Sequence, residues 1–196
     1  MEYVRGENLR HLLKRERRLS AERAVELLWG IAAGVDAAHQ AGVWHRDLKP
    51  ENVLLPANGT GPKVLDFGVA KMTDANAGNV AAGATLTHAG ATIVGTPAYM
   101  APEQLRGDLI DGRADVYSLA VLTFEALTGR LPYGGGSFID IGMQQSEGAS
   151  TVDVAGLPEE LAPTLLAALS LSRDERPAGA GALADALLRS LRRAQP

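Results

Sequence analysis

Cysteine is absent from the 196 residues, which excludes a disulfide, a thiolate nucleophile and a Cys-ligated zinc or iron–sulfur centre. With nothing pointing to an oxidising compartment, a cytoplasmic setting is the expectation. Excess positive charge is also lacking. Nineteen basic against 23 acidic side chains leave a net charge of −4, so the phosphate-neutralising surface of a nucleic-acid binder is not expected. Lysine occurs only at Lys14, Lys49, Lys63 and Lys71. Long apolar runs are missing too: Ala24 to Val35 is interrupted by Glu26 and falls short of the roughly 20 residues that cross a bilayer. Met1 to Arg5 has no basic start followed by an apolar stretch, so no signal peptide is expected. What remains is 46% apolar residues with only 5% aromatics, enough for one core and rich in Ala, Leu and Gly, which suits a mostly helical chain with flexible connections.

Leu9, Leu12 and Leu13 suggest a short first helix. Ser20 reads as the N-cap of a longer one to about Ala41, because Ala24, Leu27, Leu28, Ile31, Val35 and Ala38 recur at three- and four-residue spacing and Gly42 follows. Val53 to Leu55 and Lys63 to Leu65 are short apolar runs joined by a loop from Pro56 to Pro62 with Asn58-Gly59 and Gly61-Pro62, which predicts a small hairpin. From Asp66 to about Pro102 periodicity is lost. Ala114 to Leu127 predicts a buried helix ended by Gly129, the Gly134 to Gly136 run and Ser146 to Thr151 predict loops, and two helices are expected at about Pro158 to Leu171 and Ala178 to Arg193.

The informative segment is His45-Arg46-Asp47-Leu48-Lys49-Pro50-Glu51-Asn52, followed by Asp66-Phe67-Gly68. Phosphoryl transfer from ATP needs a carboxylate to orient the acceptor, a cation near the transferring phosphate and oxygen ligands for Mg²⁺. All three residue types stand here within about 20 residues. The run Gly95-Thr96-Pro97-Ala98-Tyr99-Met100-Ala101-Pro102-Glu103 follows. Taken together, these segments resemble the catalytic core of the eukaryotic-type serine/threonine protein kinases, of the kind found in bacteria. A lone D-F-G or G-T-P would read as a turn; the ordered set carries the resemblance.

That resemblance implies an α+β fold by family, of which this chain is the mainly α, helical C-terminal lobe with a small β-hairpin. Residues 1–8 would be a hinge remnant and 9–193 the lobe, with a catalytic loop at 45–52 and an activation segment at 66–103. It further implies that Asp47 accepts the substrate hydroxyl's proton, that Lys49 neutralises charge on the γ-phosphate and that Thr96 bridges the two. Asn52 and Asp66 would hold Mg²⁺, and Glu2, Val4 and Glu7 would lie along bound ATP, Glu7 at the ribose. His45, Phe67 and Gly68 would be structural, Asp115 would hold the catalytic loop from below, and Glu103 would pair with Arg176. Arg46, directly before Asp47, implies regulation by phosphorylation of Thr85 or Thr87, with Thr73 and Thr92 as weaker acceptors; a plain polar loop is the other reading. Expected partners are proteins bearing Ser or Thr acceptors, and a second kinase chain.

The remaining singular residues have structural readings. His39 and His88 read as packing and loop residues, Arg15, Arg17 and Arg18 as a solvated helix end, Trp29 and Trp44 as core, and Asp111 and Glu125 as caps or solvated charge. The Gly-rich loop, strand lysine and helix glutamate of a complete kinase are not found in these residues, and roughly 80 to 100 further residues would be expected for a whole kinase domain. Three functions therefore stay open. The first is an ATP- and Mg²⁺-dependent Ser/Thr kinase given as its C-terminal lobe. The second is a catalytically silent lobe that binds proteins. The third, a metal-dependent phosphohydrolase, is disfavoured because no histidine cluster accompanies the acids.

Overall fold

A computed structural model of the chain describes residues 4–67, 97–134 and 137–194. Its first elements are a three-residue strand, β1 (Gly6–Asn8), and a short helix, α1 (Leu9–Glu16), which starts where the Asn8 side chain accepts the His11 N–H at 2.9 Å and buries Leu9, Leu12 and Leu13. The long helix α2 (Ala21–Gln40) is capped by Ser20 and buries the stripe Ala24, Leu28, Ile31, Ala32 and Val35. Strands β2 (Val53–Pro56) and β3 (Lys63–Val64) form the expected hairpin.

The sheet is larger than the sequence suggests, because β1 pairs antiparallel with β2 in the order β1-β2-β3, with Gly6 opposite Pro56 and Asn8 opposite Leu54. Nothing in Gly-Glu-Asn favours a strand; the open edge of β2 supplies the pairing. Glycine is required at position 6, where a Cβ would stand 2.3 Å from the Leu55 carbonyl oxygen.

Helices α3 (Pro102–Arg106), α4 (Gly112–Thr128), α5 (Phe138–Ser146), α6 (Ala162–Ala168) and α7 (Ala180–Ala194) complete the elements. Asp111 caps α4 by accepting the Arg113 N–H at 2.8 Å, and Gly129, at φ 73°, closes it. Because α4 is apolar nearly all round, it forms the central post of the core. Around it pack α2, α6 and α7. The Asp36 carboxylate of α2 accepts the N–H groups of Ala180 and Gly181 at 3.1 and 2.9 Å, capping α7 from a neighbouring helix.

Several expectations are corrected. Ser146 ends a helix, α5, that the sequence does not announce; it is capped by Ser137 through the Asp140 N–H and lies against α3. Ala149–Thr151 is a single 3₁₀ turn rather than open loop. The expected helix from Pro158 to Leu171 is shorter, with Pro163 in its first turn. Trp29 is not core: it is 54% exposed, on the side of α2 away from its buried stripe. Trp44 is half-buried and meets His39 edge-on, ring centroids 5.0 Å apart. Among the described residues no helix is long and apolar enough to cross a membrane.

Candidate active site

Residues 45–52 form a loop between α2 and β2, held from beneath by a buried carboxylate. Asp115, in the first turn of α4 and fully buried, accepts the His45 N–H through Oδ2 and the Arg46 N–H through Oδ1, both at 2.8 Å. Its Oδ2 also lies 2.8 Å from His39 Nε2, so three donors and the helix N-terminus converge on one carboxylate. His39 can approach because position 112 is glycine; a Cβ there would stand 2.8 Å from His39 Nδ1. The His45 ring, also fully buried, donates from Nε2 to the Leu65 carbonyl at 2.8 Å and accepts the Asp47 N–H at Nδ1 at 3.2 Å, while its face meets Phe67 at 5.0 Å. With one ring nitrogen donating and the other accepting, this histidine is structural. Gln104 of α3 ties the loop from the other side, its Nε2 donating to the Arg46 carbonyl at 2.8 Å.

Above this floor, Lys49 Nζ stands 2.8 Å from Asp47 Oδ2, with the Asp47 side chain 37% exposed. Asn52 donates from Nδ2 to the Asp47 carbonyl at 2.9 Å, which leaves its amide oxygen available. The Leu65 N–H donates to the Asn52 carbonyl at 2.8 Å, so the hairpin brings Asp66 beside Asn52, and Asp66 is exposed. Arg46 and Asp66 adopt positive φ, 64° and 55°, a strained backbone that the surrounding hydrogen bonds sustain. The oxygen donors of Asn52 and Asp66 suit a hard cation that keeps part of its shell for phosphate and water, as Mg²⁺ does.

A second cluster was not legible in the sequence. Arg10 of α1 donates through Nε to Glu51 at 2.8 Å, through Nη1 to Glu125 at 2.6 Å and through Nη2 to the Tyr99 hydroxyl, which itself donates to Glu125. Glu125, expected as a cap or solvated charge, is neither: its side chain is 13% exposed and bound within this cluster. Only an i, i+3 or i+4 relation could have flagged the cluster, and its members are 26 to 115 residues apart. Burial of Tyr99, reinforced by Glu125, pushes its phenol well above the usual value of about 10, burial does the same to Tyr117, and burial also raises Tyr133. The unfolded chain ionises these phenols at about pH 10 while the folded chain resists. The stability they contribute is therefore present below that pH and lost as pH rises beyond it. Urea midpoints should fall between about pH 8 and about pH 11, with the tyrosinate absorbance of three of the four tyrosines appearing together with loss of helix; more than one tyrosinate forming in the still-folded chain would contradict this.

Comparison with known proteins settles the family. Residues 1–172 match the family model described as the protein kinase domain. The chain belongs to the serine/threonine protein kinase family. It is 38% identical over 190 residues to serine/threonine-protein kinase pkn3 of Myxococcus xanthus, covering 93% of this chain and 34% of that protein. It is 36% identical over 179 residues to serine/threonine-protein kinase PknB of Mycobacterium tuberculosis, covering 90% and 27%. A third relative, serine/threonine-protein kinase Pkn1 of Myxococcus xanthus, is 50% identical over 118 residues, 59% of this chain and 16% of that one. The chain thus spans only about a third or less of these relatives' lengths. Proteins of this kinase family use ATP and Mg²⁺.

Of the residues singled out from the kinase motifs, the structure brings Asp47, Lys49, Asn52 and Asp66 to one loop and its facing strand end, with His45, Arg46, Phe67 and Asp115 around them. Glu103 and Arg176 meet in the core below, at 2.7 and 2.8 Å. Val4 is half-buried ahead of β1. Glu7 is engaged with Arg15, whose guanidinium holds its carboxyl below the usual range. Glu2, Gly68, Thr85, Thr87 and Thr96 lie outside the described residues, as do Thr73, His88 and Thr92.

Proposed function

We propose that this chain is the lobe of a serine/threonine protein kinase that carries the transfer of the γ-phosphoryl group of Mg-ATP to a protein serine or threonine hydroxyl. The observation that carries the reading is the Asp47–Lys49 pair at 2.8 Å, on a loop whose backbone is bound by the buried Asp115. On this reading residues 1–8 are the hinge and 9–193 the C-terminal lobe.

Asp47 orients the acceptor hydroxyl and takes its proton as the hydroxyl oxygen attacks, a role that its partly exposed carboxylate permits. Lys49, anchored by Asp47, offers its remaining N–H donors to the γ-phosphate, and Thr96 is the proposed bridge between the two. Asn52 and Asp66 would hold Mg²⁺, which when bound neutralises charge on the phosphates. Val4, Glu2 and Glu7 are the proposed nucleotide contacts on the hinge side; for Glu7 this requires that it share or exchange Arg15. Regulation follows from Arg46: its Nε is buried without a partner among the described residues, which suits a phosphothreonine at Thr85 or Thr87.

Labelled phosphate from Mg-ATP should appear on a basic test protein incubated with the chain and disappear when EDTA removes the Mg²⁺. Background incorporation with and without Mg²⁺ would reject transfer by this chain and favour the protein-binding alternative.

A further inference from the structure

The catalytic loop is anchored at its start, where Asp115 holds the N–H groups of His45 and Arg46 from beneath, and at its end, where the Leu65 N–H bonds the Asn52 carbonyl. Its second half, which carries Lys49 and Asn52, turns through Pro50–Asn52, and the side chain reaching out of that turn is Glu51. Glu51 meets Arg10, and the same guanidinium binds Glu125 on the central helix and the hydroxyl of Tyr99 in the turn Pro97–Tyr99, while Tyr99 closes the ring by donating to Glu125. The Arg10 side chain is 18% exposed, and its bonds to Glu51, Glu125 and Tyr99 outweigh the effect of burial, so it stays charged. A planar guanidinium is the one side chain able to address three partners from fixed directions.

We propose that Arg10 is a positioning residue for phosphoryl transfer: it locks the half of the catalytic loop that carries Lys49 and Asn52 to α4 and to the Pro97–Tyr99 turn. The inference rests on reading residues 45–52 as the catalytic loop. Glu51 lies two residues from Lys49 and is adjacent to Asn52, whose N–H bonds the Lys49 carbonyl, so a displaced Glu51 moves both. Because α1 begins directly after β1, which carries Glu7, the same helix that borders the proposed nucleotide side fixes the acceptor side.

Two variants separate this role from bulk stability. Glu51→Ala removes the loop's link from a half-exposed position while leaving the Arg10–Glu125–Tyr99 contacts in place, and Arg10→Met removes the hub. Both should speed amide hydrogen exchange at Asp47–Asn52 by about tenfold or more, with the α2 and α4 core amides unchanged. In the phosphate-transfer assay both should lower kcat by about 10- to 100-fold at unaltered KM for ATP. Arg10→Lys, which keeps the charge without the planar fork, should behave as Arg10→Met. Wild-type exchange at Asp47–Asn52 in Glu51→Ala, or an equal rise throughout the chain, overturns the proposal, as does wild-type behaviour of Arg10→Lys. If the unaltered chain transfers no phosphate, the kinase reading fails while the exchange measurement still decides whether Arg10 holds the loop.

Discussion

Asp47→Asn should lower phosphate transfer by about 10²- to 10⁴-fold while leaving the fold intact. Asparagine preserves the shape of the side chain and an oxygen for Lys49 Nζ, now 2.8 Å from Asp47 Oδ2, but it cannot take the proton of the attacking hydroxyl. Stability should hardly change, because the Asp47 side chain is 37% exposed and the Lys49 contact is of the partly solvated kind that contributes little. The loop itself is held by other atoms, the Asp47 carbonyl bonded by Asn52 and the Asp47 N–H bonded to His45, and these survive the substitution. Single-turnover transfer and thermal unfolding measured on the same preparations would check both halves. Equal rates for the two proteins would remove Asp47 from the mechanism.

Breaking the Glu103–Arg176 pair should produce the largest loss of stability, about 3–5 kcal/mol for Arg176→Met or Glu103→Gln. The two groups meet bidentately at 2.7 and 2.8 Å, with 0% and 6% of their side chains exposed. Arg176 also donates from Nε to the Ser170 carbonyl at 2.9 Å and lies over the Tyr117 ring at 5.0 Å. Removing one partner leaves the other charged, buried and unpaired, which is the costly event; replacing both, as in Glu103→Leu with Arg176→Met, should cost less than the two single changes added. In a chain of this size each kcal/mol shifts Tm by roughly 2–4 °C, so a single variant should melt visibly earlier. Because Glu103 lies in the first turn of α3 and Gln104 beside it bonds the Arg46 carbonyl, exchange in the catalytic loop should rise in step with the loss of stability.

Much of the molecule follows from local rules. Asn8, Ser20 and Asp111 cap helices where their side chains are followed by apolar positions at helical spacing, and Gly129 ends α4 where only a left-handed residue can. Asp47, Lys49, Asn52 and Asp66 are legible because they stand at fixed short spacings around one hairpin. The exceptions share a cause. Strand β1 and helix α5 depend on what lies opposite, the free edge of β2 and the flank of α3, and the exposure of Trp29 depends on its side of α2 facing away from the buried stripe.

The sequence by itself therefore determined the family and most of the helices, and it singled out the residues proposed for phosphoryl transfer, since all of these are written in short-range spacing and residue type; α3 and α5 are not. Only the tertiary structure decided how that chemistry is held. Asp115 under His45 and Arg46, His39 on Asp115, Asp36 at the start of α7, and Arg10 among Glu51, Tyr99 and Glu125 join residues 26 to 145 positions apart. Such bonds have no signature along the chain, because a hydrogen bond depends on distance and direction in space, and these become defined only once the apolar faces of α2, α4 and α7 have packed.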